Sequence, residues 1–284
     1  MGGSYYCYVQ KNYVSTFLKV DLTSQKSFTF TNNVFYQKNP PVNFQKFERS
    51  YSALRKRENR LFNDETVRRL PDFSTNHPLT REWQIRKKSW KRFARYLGGH
   101  ASCQTILEVG CGNGWMTKEL VALNKEVCAI DVHEKELLQA ARLFHSDTIS
   151  FVYGDVFTVP LDDKRFDLII LASSVQYFED LHRLLQRLTA LTRPNGEIHI
   201  LDSPLYRASE LSSAKKRSES YFAHQEQPEM TSHYFHHSYE ELQNYKWKFL
   251  YRPNIFTPIV KALFPKINSS PFPWIRIHVN GPAL

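Results

Sequence analysis

Short apolar runs alternate with amphipathic stretches through the middle of the chain. Each run is rich in Val, Ile, Leu and Phe, and the intervening stretches repeat their apolar residues at helical spacing. Strands that alternate with helices in this way form βαβ units around a parallel sheet that is buried on both faces. The pattern therefore predicts a three-layer α/β sandwich. The predicted strands are 105–109, 126–132, 149–153, 166–172 and 197–201.

The chain before this region has a different pattern. Residues 1 to about 40 are rich in Tyr, Phe, Thr and Val and favour a few short strands. Residues 44–70 predict a charged helix that stops at Pro71, and residues 79–97 predict an amphipathic helix that ends at two glycines. We expect residues 1–78 to form an N-terminal extension of unknown role, a lid or a substrate-binding element.

The chain after the fifth run changes again. Residues 203–241 are polar and aromatic, and predict an insert that is partly helical and has no regular strand. Two late strands, 245–252 and 274–279, follow and bring the predicted sheet to seven strands, mostly parallel. We therefore expect residues 79–284 to form one domain with an insert at 203–241.

Composition and charge narrow the class of protein. Hydrophobic residues make up 42% of the chain, which excludes wholesale disorder, and no run of apolar residues is long enough to span a membrane. The net charge is +10, with basic residues concentrated between positions 55 and 95. Such a balance suits nucleic acid, anionic substrates or an anionic surface, although a solvated helical face is the simpler interpretation.

The cysteines predict neither a disulfide framework nor a zinc site. They show no close pairing, which suits reduced thiols in a cytoplasmic protein, the localisation that we expect by default. The four cysteines are Cys7, Cys103, Cys111 and Cys128.

A glycine-rich turn follows the first predicted strand. It contains Gly110, Gly112 and Gly114, and Asp131 ends the next strand about 20 residues further on. Such a turn lets a ligand approach the backbone and the start of the following helix, while an acid at the second strand end binds ribose hydroxyls. A dinucleotide site would share these features, so the turn alone leaves the ligand open.

Three residues distinguish the two possible ligands. The dinucleotide pattern Gly-x-Gly-x-x-Gly needs a third glycine where this chain has Trp115. Glu108 ends the first strand, where it would repel a pyrophosphate but suits a ligand with ammonium and sulfonium charges. Asp155, at the end of the third strand, adds a carboxylate near the expected place of an adenine amino group. For Glu108 and Asp155 the alternative is a solvent-facing strand-end acid.

These segments resemble the class I S-adenosylmethionine-dependent methyltransferases of the small-molecule type, which have a Rossmann-like sandwich with a seven-stranded sheet. Residues 106–114 (ILEVGCGNG) look like their first motif, and residues 129–132, 153–156, 166–178 and 191–198 resemble the segments at the next four strands. The resemblance covers about residues 80–202. It implies S-adenosylmethionine as cofactor, held by Glu108, Gly110, Cys111, Gly112, Gly114, Asp131, Val132, Asp155, Val156 and Ala172.

The methyl acceptor is less well defined by the sequence. Residues 172–178 lack the Asn/Asp-Pro-Pro-aromatic element of amino-adenine methyltransferases, which argues against that chemistry. Gln176 and Tyr177 are candidates for a small substrate pocket, or are packing residues. Trp83 and Arg86 are further substrate candidates, because the helix before the first strand often closes over the site in this family.

The general base is also open. The candidates are His236, His237 and Tyr177, with surface or packing roles as the alternative for the histidines. Adjacent histidines without a spaced acid make a weak metal signature, so we expect no metal.

The leading hypothesis is an S-adenosylmethionine-dependent methyltransferase that acts on a small molecule and has no membrane partner. The first alternative is an RNA methyltransferase that uses the basic N-terminal helices, with RNA as the less favoured partner. The second, of another class, is a non-catalytic scaffold with the same fold. Nicotinamide-dependent redox chemistry is disfavoured by Trp115 and Glu108.

Overall fold

A nine-stranded sheet forms the centre of the computed structural model, which describes residues 27–38, 44–74, 76–253 and 270–280. The strand order is β1-β2-β5-β4-β3-β6-β7-β11-β10, and a separate two-stranded sheet pairs β8 with β9. The strands are β1 (Phe28–Thr31), β2 (Val34–Gln37), β3 (Thr105–Val109), β4 (Glu126–Asp131), β5 (Ile149–Tyr153), β6 (Phe166–Ala172), β7 (Thr192–Leu201), β8 (Leu205–Tyr206), β9 (His237–Ser238), β10 (Lys246–Tyr251) and β11 (Trp274–His278).

Helices cover both faces of the sheet. Because neighbouring residues of a strand point to opposite faces, Ile106 joins the core under one layer of helices and Leu107 joins the core under the other. Full burial of such side chains contributes about 1.5–3 kcal/mol each. The helices are α1 (Phe44–Arg57), α2 (Asp64–Arg69), α3 (Thr80–Gly98), α4 (Trp115–Val121), α5 (Glu134–Phe144), α6 (Leu181–Leu191) and α7 (Leu211–His224).

The five central strands are those that the apolar runs predict, and they are parallel to one another. Strand β7 begins five residues earlier than predicted. In the segment 192–197 the register shifts, and Asn195 adopts a φ of 66°, so that the predicted turn lies within the strand. The α/β sandwich is thus confirmed, and the carboxyl ends of β3 to β7 meet at one edge.

The predicted count of seven strands is too low. Strands β1 and β2 form a hairpin through Asn32 and Asn33, which both have positive φ angles, and β2 then pairs in parallel with β5. Asparagine tolerates the left-handed conformation that a two-residue hairpin turn requires. The hairpin therefore extends the sheet by two strands. The other strands expected before residue 27 lie outside the described residues, as do Cys7 and residues 254–269.

Two further boundaries differ from the prediction. The helix expected over 44–70 is broken into α1 and α2, and Asn63 begins α2 by accepting a hydrogen bond from the Thr66 backbone N–H. The insert, expected to lack strands, contains the two-residue strands β8 and β9. Helix α3 behaves as predicted and buries Trp83, Phe93 and Leu97.

The N-terminal helix α1 and the insert helix α7 meet above the carboxyl edge of the sheet. Leu54 of α1 and Phe222 of α7 are buried together with Met230, and Tyr177 packs against them. Both segments outside the central βαβ units therefore form a roof over the strand ends. No helix in the described ranges is long and apolar enough to cross a membrane.

Candidate functional site

The glycine turn between β3 and α4 has a backbone that only glycine adopts readily. Gly110, Gly112 and Gly114 have φ angles of 81°, 52° and 73°. A Cβ at Gly110 would lie 2.5 Å from the Ser174 Cβ, and one at Gly114 would lie 2.7 Å from the Ala140 Cβ. The sequence needs glycine here because of both conformation and close packing. The resulting loop exposes its backbone at the floor of a cavity.

This cavity has a volume of about 800 Å³ and runs along the carboxyl edge of the sheet. Its floor includes the glycine turn and the residues that follow β6 and β7. Its walls and roof come from α1, α3, α7 and the chain after α7. Of the predicted cofactor residues, Gly110, Cys111, Gly112 and Ala172 line it, and so do all four predicted substrate residues, Trp83, Arg86, Gln176 and Tyr177.

Glu108 does not line this cavity. Its side chain is 2% exposed and accepts a hydrogen bond of 2.6 Å from the Thr117 hydroxyl, on α4. Burial raises the pKa of Glu108 to about 8. A contact between Glu108 and a ligand ammonium therefore stays a prediction.

Asp131 is engaged by backbone groups at the end of β4. Its carboxylate accepts hydrogen bonds from the N–H groups of Gly112 (2.6 Å) and His133 (2.8 Å). Helix α1 covers this end, since the Ser52 hydroxyl lies 2.8 Å from the His133 ring and Tyr51 packs edge-on against that ring. The carboxylate thus joins the second strand end to the glycine turn.

The third strand end is closed by the N-terminal hairpin. The Asp155 N–H donates to the Gln37 side-chain oxygen (3.3 Å), while the Asp155 carboxylate accepts from the Phe157 N–H (3.0 Å). Val156 is buried. Five of the predicted cofactor residues are not among the described residues that line the cavity: Gly114, Asp131, Val132, Asp155 and Val156.

A buried ion pair ties α1 to α5 beside the glycine turn. Arg55 and Glu136 lie 2.9 Å apart, with side chains 17% and 7% exposed. Burial opposes ionisation of Glu136, but the charge of Arg55 and the nearby His133 outweigh it and lower the pKa of Glu136 to about 2. The pair therefore remains ionised and fixes this wall of the cavity.

A second network of charges lies on the α3 side. Arg60 donates two hydrogen bonds to Glu82, at 2.5 and 2.6 Å, and Arg86 donates a third at 3.1 Å. Although burial raises it, the pKa of Glu82 is lowered to about 2 by these guanidinium groups. Arg86 also donates to the Ser173 hydroxyl at 3.0 Å, which places its guanidinium beside the end of β6.

Several buried polar atoms of the cavity wall have no hydrogen-bond partner among the described residues. They include the Trp83 indole nitrogen, Nε of Arg55, the side-chain oxygen of Gln176 and Oδ2 of Asp202. Buried polar atoms are almost always paired in native proteins. Two donors and two acceptors without partners in one cavity are the pattern expected of a site that binds a polar ligand.

The histidine candidates for a base lie behind the cavity wall. His237 is buried, with one ring nitrogen 2.8 Å from the Phe178 carbonyl oxygen and the other 3.3 Å from Glu241. His236 lies 2.8 Å from the hydroxyl of Ser218, which does line the cavity, and burial lowers the pKa of His236. The third candidate, Tyr177, lines the cavity directly, and burial raises its pKa. A catalytic role for any of the three therefore stays a prediction.

Metal ligands do not cluster in the described part of the chain, where no group of three His, Cys, Asp or Glu side chains could hold an ion. The thiols of Cys103, Cys111 and Cys128 are free and buried.

The sequence interpretation missed Asp202, the residue that follows β7. Acids at the ends of β4 and β5 drew attention to Asp131 and Asp155, and the same strand-end rule points to Asp202. The contribution of Arg55 could not be found in this way, because its partner Glu136 is 81 residues away.

Comparison with known proteins agrees with this geometry. Residues 107–200 match the family described as a methyltransferase domain. The YcgJ protein from Bacillus subtilis has a similar fold, with a TM-score of 0.51 at 12% identity over 68% of this chain and 99% of that one. Residues 107–200 thus match a methyltransferase domain, and the likeness to YcgJ supports the α/β fold around them. This match agrees with the cofactor that the sequence resemblance implies, S-adenosylmethionine.

Relatives with curated names match over the domain only. A malonyl-[acyl-carrier protein] O-methyltransferase from Erwinia billingiae is 34% identical over 95 residues, which is 34% of this chain and 37% of that protein. An uncharacterized methyltransferase from Mycobacterium tuberculosis is 29% identical over 98 residues, 34% of this chain and 50% of that protein. The chain thus spans half or less of the length of these two relatives.

Proposed function

We propose that the protein transfers a methyl group from S-adenosylmethionine to a small-molecule acceptor that binds inside the cavity. The donor supplies an electrophilic methyl group on a sulfonium sulfur. The observation that carries the proposal is the single cavity of about 800 Å³ that joins the glycine turn to the ends of β6 and β7 under a roof. Cavities of this size bind small ligands, which they bury on most sides.

The end of the cavity at the glycine turn fits the methionine part of the donor. Gly110 and Gly112 present backbone without side chains there. The unpartnered Trp83 indole N–H and the Arg55 Nε–H are donors that suit a ligand carboxylate. Together these residues would hold the amino-acid end and leave the methyl group directed toward β6.

We assign the ribose to Asp131 and the adenine to Val132, Asp155 and Val156, on the resemblance of these strand ends to the family. Glu108 is assigned to the donor's ammonium group in the same way. These assignments rest on position at the ends of β3, β4 and β5 rather than on the cavity wall.

The other end of the cavity fits an acceptor with an aromatic or apolar body. It is walled by tyrosines from four separate segments and by Phe222 of α7. Aromatic walls exclude water and orient a flat ligand, so that its nucleophilic atom is held near the methyl group. The tyrosines are Tyr177, Tyr206, Tyr221 and Tyr234.

Isothermal titration calorimetry with S-adenosylhomocysteine tests donor binding. Gly112→Ala places a Cβ at a φ of 52° and 3.4 Å from the Glu136 carboxylate, so we expect its affinity to fall at least about tenfold. The matched control is Gly98→Ala, where a Cβ meets nothing within 4 Å. Absence of binding by the wild-type protein would remove the proposal and leave the scaffold hypothesis.

Transfer of labelled methyl into a fractionated lysate tests the acceptor class. The proposal expects label in the metabolite fraction. Label confined to the protein or RNA fractions would contradict it.

RNA is the second candidate acceptor because α3 carries an unpaired basic stripe. Its members are exposed, are spaced seven, three and four residues apart, and have no acid at ion-pair distance within the described ranges: Arg81, Lys88, Lys91 and Arg95. RNA binding through this stripe would show a steep loss of affinity with salt, because phosphate contacts release counterions. Absence of RNA affinity at low salt would remove this candidate.

A further inference from the structure

Asp202 occupies a distinctive position at the carboxyl edge of the sheet. It directly follows Leu201, the last residue of β7, which pairs with Ala172 at the end of β6. Its backbone is in the left-handed region, with a φ of 49°, and the side chain is 7% exposed. Asp202 lines the same cavity as the glycine turn. A buried carboxyl group therefore lines the cavity in which we propose that the donor binds.

Only one oxygen of this carboxyl group has hydrogen-bond partners among the described residues. Oδ1 accepts from the hydroxyls of Ser89 (2.7 Å) and Ser270 (3.2 Å). Oδ2 is buried and has no hydrogen-bond partner among the described residues. A buried carboxylate oxygen without a donor is costly. The first oxygen thus anchors the side chain, and the second is free to accept a proton or a hydrogen bond from a ligand.

The burial of Asp202 favours this role more than the neighbouring charges oppose it. Burial raises the pKa of Asp202, although the guanidinium groups of Arg86 and Arg92 and the hydroxyls of Ser89 and Ser270 oppose the rise. Arg86 is itself engaged by Glu82 and Ser173, so it does not occupy Oδ2. A carboxylate whose pKa is raised is a stronger proton acceptor than one in water.

We propose that Asp202 binds the protic nucleophile of the acceptor, a hydroxyl or an amine, and takes its proton during methyl transfer. The acceptor atom forms a bond to the methyl carbon, the carbon–sulfur bond breaks with its electron pair staying on sulfur, and the acceptor's proton moves to Oδ2 of Asp202. This assignment rests on the proposed function and narrows its acceptor class.

The assignment separates this chain from the relatives whose names give a malonyl-carrier acceptor. The free end of a malonyl group is a carboxylate, which carries no proton at neutral pH. It would place a second negative charge next to Asp202 in a buried site. We therefore infer that a hydroxyl or amine, not a carboxylate, is methylated.

The test compares two donor analogues by calorimetry, so it needs no knowledge of the acceptor. Sinefungin carries an amine in place of the methyl sulfonium, and S-adenosylhomocysteine carries neither. We expect the wild-type protein to bind sinefungin at least about tenfold more tightly, because its cationic amine takes the place of the methyl group and is attracted to the carboxylate of Asp202 across the acceptor position. Asp202→Asn should lose this preference while it still binds S-adenosylhomocysteine, and Asp202→Glu should restore part of it.

Asp163→Asn is the matched control, since it removes the same charge from a side chain that is 64% exposed and pairs with Arg187. It should keep the wild-type preference. An unchanged preference in Asp202→Asn would overturn the inference. Equal binding of both analogues by the wild-type protein would also overturn it, and this outcome does not depend on whether the variants fold. Failure of the wild type to bind either analogue would instead overturn the proposed function.

Discussion

The buried pair between Arg55 and Glu136 allows a quantitative prediction about the N-terminal helix. Glu136→Gln removes the charge that α5 presents to α1 while it keeps the shape of the side chain. The pKa of Glu136 falls from 4.5 to about 2 on folding, despite burial, because Arg55 and His133 stabilise its charge. At about 1.36 kcal/mol per unit, this shift corresponds to about 3 kcal/mol of stability at neutral pH. Loss of one partner of a buried pair has a similar cost, about 3–5 kcal/mol.

The pH dependence gives the sharper test. Because the pKa of Glu136 is lower in the folded protein, its contribution is present above about pH 4.5 and is lost as the pH falls toward 2. Urea denaturation of the wild type and Glu136→Gln should therefore differ by about 3 kcal/mol at pH 7, and this difference should shrink to about half as the pH is lowered from 5 to 3. Glu226→Gln is the control, since the Glu226 side chain is 71% exposed where it pairs with Arg57, and we expect an effect below about 1 kcal/mol. A difference at pH 7 no larger than in this control, or one that does not shrink in acid, would refute the assigned role of the pair.

Three further predictions concern the core of the site. Glu108→Gln should gain stability relative to the wild type as the pH rises from about 5 to 8, because burial raises the pKa of Glu108 to about 8 and the folded state therefore disfavours its charged form. The same difference in free energy of unfolding between the two proteins at pH 5.5 and at pH 8.5 would contradict this. Gly110→Ala should lower the free energy of unfolding by at least about 2 kcal/mol, because its Cβ would meet Ser174 at 2.5 Å, whereas Gly98→Ala should be neutral or stabilising by urea denaturation. Phe222→Ala should cost about 3–5 kcal/mol in the same assay, and a cost below 1 kcal/mol would show that α7 is not held by this side chain.

The sequence predicted the central sheet well because its strands are short and apolar on both faces. The runs at 105–109, 149–153 and 166–172 coincide with β3, β5 and β6. The sequence predicts short strands before residue 40, but it does not place β1 and β2 in this sheet, since periodicity does not show which strands pair. Its pairing with β5 is a contact across more than 100 residues.

The lining of the cavity is predictable from the sequence where it follows from a residue's position next to a strand, and not where it depends on tertiary contact. Trp83, Arg86, Gln176 and Tyr177 were placed near the site by their position next to β3 and β6, and all four line the cavity. Arg55 was not, because only folding brings α1 over the glycine turn. Asp202 was within reach of the strand-end rule, but its missing hydrogen-bond partner is visible only in the structure.

The residues assigned to the donor and those assigned to the acceptor lie in different parts of the chain. The family match ends at residue 200, and the glycine turn and the strand ends that follow the family pattern lie within it. The roof of the cavity comes from α1 and α7, and its most unusual wall residue is Asp202, all outside the matched range. Relatives that share residues 107–200 can therefore share the methyl donor without sharing an acceptor. Residues that choose the acceptor are to be sought in α1, α3 and α7 and at Asp202, because these parts of the cavity lie outside the matched domain.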